Sequence, residues 1–140
     1  MLHIYRLSHW LHRACVPLLP RLLYLLNRVV FGVVLPPSVE LGKGSSFGYS
    51  GLGTVIHARA RIGAGVRIGT SVTVGGRGEA YEVPIIEDGV QIGSGAKIIG
   101  PVRIGQGAQI GANAVVLRDV PSGATAVGVP AKIILRRRAS

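Results

Sequence analysis

The sequence predicts an all-β repeat: short parallel strands wound into stacked triangular coils, preceded by a helical arm. Three observations carry this. From Ile56 an aliphatic residue returns every six positions, through Ile62, Ile68 and Val74, then Ile86, Ile92, Ile98, Ile104, Ile110 and Val116. A second small or aliphatic residue sits four places on, from Ala60, Val66 and Val72 to Ala108, Ala114 and Val120. Glycine follows many of the first set, as at Gly63, Gly69, Gly93, Gly105 and Gly111. A period of six matches neither the 3.6-residue helix nor the two-residue alternation of a simple strand. It matches short strands that each point one aliphatic residue into a narrow core and then turn a tight corner. No coil buries its interior alone, so stability comes from stacking.

The elements follow in order. Residues 1–36 form the arm. Leu7, Leu11 and Ala14 have helical spacing before Pro17 and Pro20 interrupt the chain. Pro20 suits the start of a second helix, with Leu22, Leu23, Leu26, Val29, Val30 and Val33 on a broad apolar side. Arg21, Asn27 and Arg28 break up that stretch, so it is read as a helix resting on a partner surface or a membrane face rather than a span. Residues 37–133 form the coil. Leu41 and Phe47 set an early phase, and the nine-residue step from Phe47 to Ile56 puts a bulge near Tyr49–Leu52. The stretch "GGRGEAYEVPI" lacks the pattern and reads as a projecting loop carrying Arg77, Glu79, Tyr81 and Glu82. Residues 134–140 form a basic tail with Arg136, Arg137 and Arg138.

The 140-residue chain carries a formal charge of +10, which favours anionic partners such as phosphorylated co-substrates, acidic glycans or anionic lipid. Nucleic acid is disfavoured, because the repeats show no row of aromatic residues for stacking. Cys15 is the only cysteine. It excludes an internal disulfide, fits a reducing, cytoplasmic setting, and reads as a buried or half-buried packing residue. The first residues do not read as a cleavable leader. A single repeat-region histidine, His57, argues against a three-histidine metal site.

The segment "IGSGAKIIGPVRIGQGAQIGANAVVLRDVPSGATAVGVPAKII", with "SVTVGGRG" before the loop and "GVPAKI" as a closing turn, resembles the hexapeptide acyltransferases and within them the serine acetyltransferase group. The resemblance spans roughly residues 35–134. It implies a left-handed parallel β-helix, a homotrimer, and acetyl-CoA as acyl donor in a groove between subunits. It also implies that Gly76, Arg77, Ser94, Gly95, Ala112, Pro130, Ala131 and Lys132 line that groove.

The sequence departs from the group where the acceptor is held. In "FGYSGLG", Gly48 and Tyr49 stand where the group has an Asp-His pair; the loop has Arg77 but no histidine; and no acid stands near Val34. These departures point away from serine and toward a hydroxyl of a sugar or polysaccharide intermediate, with serine as the alternative acceptor. Acyl transfer to an alcohol needs a base working near neutral pH. His57 follows the inward Ile56, where glycine is usual, and is the candidate base; Tyr49 or Tyr81 is a candidate to orient the acceptor. The arm 1–36 is read as serving the inner membrane face or capping the trimer. A non-catalytic trimeric scaffold is the rival from another class.

Overall fold

The structure, a computed structural model, describes residues 1–135. Two helices open the chain, α1 (Leu2–Arg13) and α2 (Leu19–Phe31). Among the described residues fourteen short strands follow: β1 (Glu40–Leu41), β2 (Ser46–Phe47), β3 (Val55–Ile56), β4 (Arg61–Ile62), β5 (Arg67–Ile68), β6 (Thr73–Gly75), β7 (Ile85–Ile86), β8 (Gln91–Ile92), β9 (Lys97–Ile99), β10 (Arg103–Ile104), β11 (Gln109–Ile110), β12 (Val115–Val116), β13 (Thr125–Val127) and β14 (Lys132–Ile134). They stack into a left-handed parallel β-helix with three faces. The first face is β1-β4-β7-β10, the second β14-β13-β11-β8-β5-β2, and the third β12-β9-β6-β3. Every pairing is parallel except β13 with β14, which closes the coil antiparallel.

The six-residue phase sets the register. Ile62 pairs with Leu41 and Ile86, Ile68 with Phe47 and Ile92, and Val74 with Ile56 and Ile98. Like therefore stacks on like, and the inward column is continuous. Ile56, Val74, Ile86, Ile98, Ile104 and Val116 are each no more than 1% exposed. The second set, Ala60 to Val120, is buried between them at the corners. Two buried hydroxyls satisfy corner backbone: Ser45 Oγ donates to Gly63 O at 2.7 Å and accepts from Val66 N, and Thr54 Oγ1 donates to Gly69 O at 3.2 Å and accepts from Val72 N.

Coil pairing begins slightly earlier than residue 37, because Val34 bridges Val55 on the third face. The arm is bonded to the first coil. Tyr5 buries its ring and donates its hydroxyl hydrogen to Val39 O. Arg6 donates to Leu41 O at 2.7 Å and Gly42 O at 2.9 Å, and His9 Nδ1 donates to Pro37 O at 2.6 Å. The buried side of α1 is thus Tyr5, Ser8 and Leu11, whereas Leu7 and Ala14 face solvent. Helix α2 lies on α1 through Ser8 Oγ to Pro20 O and Asn27 Nδ2 to Met1 O. Gly32 ends α2 in the left-handed region at φ 65°, and Val33, beyond the helix end, is fully buried in the core rather than on the helix side.

Cys15 is exposed, contrary to the packing role expected from its type. It sits in the turn after α1 with φ 59°, and its thiol reaches only the Arg13 carbonyl, 4.0 Å away. The bulge at Gly48–Gly51 is a tight helical turn with Tyr49 and Ser50 both at positive φ. The tail arginines 136–138 lie outside the described residues.

Candidate active site

His57 occupies the corner between the third and first faces. Its backbone N–H donates to Val74 O at 2.8 Å, which sets it beside Gly75 on the next coil. The half-buried ring accepts the backbone N–H of Arg59 at Nδ1 over 3.1 Å. A backbone N–H can only donate, so the neutral ring carries its own proton on Nε2 and presents a donor outward. For Nε2 to act as a base the ring must take the other tautomer, with its proton on Nδ1, and give up the bond from the Arg59 N–H, at a cost on the order of 1 kcal/mol for one exposed bond.

Arg59 extends from the same corner. Its Nη2 donates to Tyr81 O at 2.6 Å, and its guanidinium carbon stands 4.3 Å from the centre of the Tyr81 ring. This pair clips the projecting loop onto the first face. Between loop and face runs an open groove of about 720 Å³, lined by Ala58, Arg59, Arg61, Tyr81, Glu82 and Arg103 among others. Two ion pairs flank it: Arg61 with Glu40 at 3.6 Å and Arg103 with Glu87 at 2.7 Å. The hydrogen bond from Arg103, helped by the Gln106 N–H, holds the Glu87 carboxyl below the usual carboxylate range.

The residues implied to hold the acyl donor all border the third face. Gly76 and Arg77 leave the end of β6, next to the His57 corner. Ser94, Gly95 and Ala112 stack at the opposite corner, where Ser94 Oγ accepts from Thr70 N at 3.1 Å and Asn113 N donates to Ser94 O at 2.9 Å. The Pro130–Lys132 turn crosses the top of the face, with Ala131 N donating to Val115 O at 2.8 Å. One residue there was not singled out from the sequence. Lys97 points outward from β9 and donates to Ser71 O at 2.7 Å, putting a cation on the face between the two corners. Its place one residue before the inward Ile98 was the available signal. Tyr49 lies apart on the bulge, 90% exposed. Glu79 and Glu82 are exposed loop residues; the ring of His57 meets the Arg59 backbone rather than either carboxylate.

The family described as bacterial transferase hexapeptide (six repeats) matches residues 84–118. The serine acetyltransferase of Helicobacter pylori (strain J99) is 40% identical over 136 residues, covering 96% of this chain and 79% of that protein. This chain belongs to the serine acetyltransferase family. The serine acetyltransferase of Synechococcus elongatus is 41% identical over 134 residues, covering 94% of this chain but 54% of that protein. A solved serine acetyltransferase in complex with CoA superposes with a TM-score of 0.87 at 38% identity, covering 95% of this chain and 55% of that one. The chain thus spans about half the length of several family members it matches.

Proposed function

We propose that this chain is an acetyl-CoA-dependent O-acetyltransferase, with L-serine as acceptor. The observation that carries the reading is the third face. It carries Gly76 and Arg77 at one edge, Ser94, Gly95 and Ala112 at the other, and the Pro130–Lys132 turn across its top. A thin polyanion such as CoA needs small residues for its pantetheine arm and cations for its phosphates; Lys97 on β9, Arg77 after β6 and Lys132 at the closing turn are cations on or beside that face. Family membership supports the donor and favours serine, which reverses the order of acceptors expected from the sequence.

In this reading the acceptor hydroxyl oxygen attacks the thioester carbonyl carbon. His57, in the tautomer with its proton on Nδ1, takes the hydroxyl proton at Nε2. The C–S bond then breaks, the proton passes to the departing sulfur, and the products are the O-acetyl ester and CoA thiol. Three copies of the coil, each lending a face to its neighbour, make the donor groove.

A second reading keeps the donor and changes the acceptor to a sugar or polysaccharide hydroxyl. Gly48 and Tyr49 favour it, standing where a serine site would keep an acid and an imidazole. The test is thiol release from acetyl-CoA by the purified chain. Release with L-serine, matched by O-acetylserine, supports the first reading. Release only with sugar hydroxyls supports the second. Failure to bind CoA leaves the scaffold.

A further inference from the structure

We propose that α2 seats this chain on an anionic bilayer surface as an interfacial helix. The proposal stands apart from the catalytic reading. The inward side of α2 is Pro20, Leu23, Tyr24, Asn27 and Phe31, all buried or half-buried. The opposite side is apolar and open. Leu22, Leu25, Leu26, Val29 and Val30 are 61%, 47%, 45%, 82% and 58% exposed, and Leu18 and Leu19 extend the row at 72% and 43%. At about 100° per residue these side chains fill a stripe roughly 140° wide. Soluble surfaces scatter their exposed apolar residues singly; a contiguous row of this kind marks a surface that is normally covered.

The charge around the stripe selects its cover. Arg21 and Arg28 lie along one edge, one helical face apart from the stripe's centre, and both are exposed. No acid occurs before Glu40, so the arm has no carboxylate to pair with them. A second copy docked on this stripe brings another all-basic arm against them. An anionic headgroup layer instead supplies countercharge beside an apolar layer. Among the described residues no helix is long and apolar enough to cross a membrane, so α2 lies in the interface plane.

The experiment is co-flotation of the full chain with vesicles of phosphatidylcholine mixed with phosphatidylglycerol, and with phosphatidylcholine alone. The chain is expected to float with the mixed vesicles and to be released by high salt. The double variant L22E/V29E, both positions exposed, is expected to stay at the bottom with an unchanged circular dichroism spectrum. R21Q/R28Q is expected to partition about tenfold more weakly or worse. Wild-type protein that stays at the bottom with mixed vesicles overturns the proposal, as does L22E/V29E that still floats. Loss of a lipid-free oligomer in L22E/V29E, with no vesicle binding by wild type, assigns the face to a second copy instead.

Discussion

The backbone N–H of Arg59 donates to Nδ1 of His57 over 3.1 Å, so the only imidazole of the coil presents Nε2–H outward. As a donor, His57 polarises a carbonyl; as a base at Nε2, it must first move its proton to Nδ1 and give up the Arg59 N–H. Two substitutions separate these roles. Asparagine keeps a donor and loses the base; alanine loses both. If His57 is the base, H57A and H57N both fall by about 10²-fold or more in kcat, with CoA affinity unchanged. An H57N enzyme that retains most of its kcat while H57A does not makes the residue a donor. Full activity in H57A removes it from the chemistry.

The Arg59–Tyr81 clip has a separate signature. Arg59 is exposed, so its removal costs the fold less than about 1 kcal/mol. Its effect falls on the loop. R59A is expected to leave the melting temperature nearly unchanged and to speed amide exchange across residues 77–82. If that loop helps hold the acceptor, KM for the acceptor rises more than kcat falls. Unchanged exchange in R59A shows that the loop is held by other contacts, such as buried Val83 and Pro84.

Tyr5 gives the arm a pH dependence. Burial pushes its phenol up to about 12 from an ordinary value of 10.0, opposed by the nearby Arg6 charge. The folded state therefore holds this proton more tightly than the unfolded chain. Stability from this group is complete below the unfolded value and is lost as pH rises between 10.0 and about 12. Alkaline denaturation of the wild type is expected to steepen in that window. Y5F abolishes the extra slope, yet lowers stability at neutral pH by about 1–3 kcal/mol, because Val39 O loses its donor. An identical alkaline slope in Y5F shows that Tyr5 does not carry the effect.

What the sequence disclosed depends on period. Ile62, Ile68 and Ile92 are inward because a six-residue repeat admits one inward phase, and their burial follows from counting. The nine-residue step from Phe47 located the bulge, but the left-handed backbone at Tyr49 and Ser50 leaves no mark in residue type, since neither is glycine. On α2 the apolar pattern was plain, whereas its direction was set by Pro20 and Asn27, whose contacts are with Ser8 on α1 and Met1 just before it. The tautomer of His57 rests on a neighbour two residues away and one rotamer, and pattern alone does not specify either.

The last prediction separates two reasons for glycine in the coil. Gly93 has ordinary φ, but a Cβ there meets the backbone of Ala112 on the next coil, 2.5 Å from its nitrogen and 2.9 Å from its Cα. Gly107 has φ +70°, with nothing within 4 Å of an added Cβ. G93A therefore forces two coils apart, while G107A pays only for a left-handed alanine. The expected costs are about 1–3 kcal/mol or more for G93A by overpacking and about 1–2 kcal/mol for G107A by backbone strain. Energy alone separates them poorly, so the discriminating variant is asparagine, which tolerates the left-handed region. G107N should recover most of the stability lost in G107A. G93N should be worse than G93A, because its larger side chain meets the same backbone. Urea denaturation of the four variants checks this, and recovery at position 93 by asparagine shows that backbone freedom rather than coil spacing keeps glycine there.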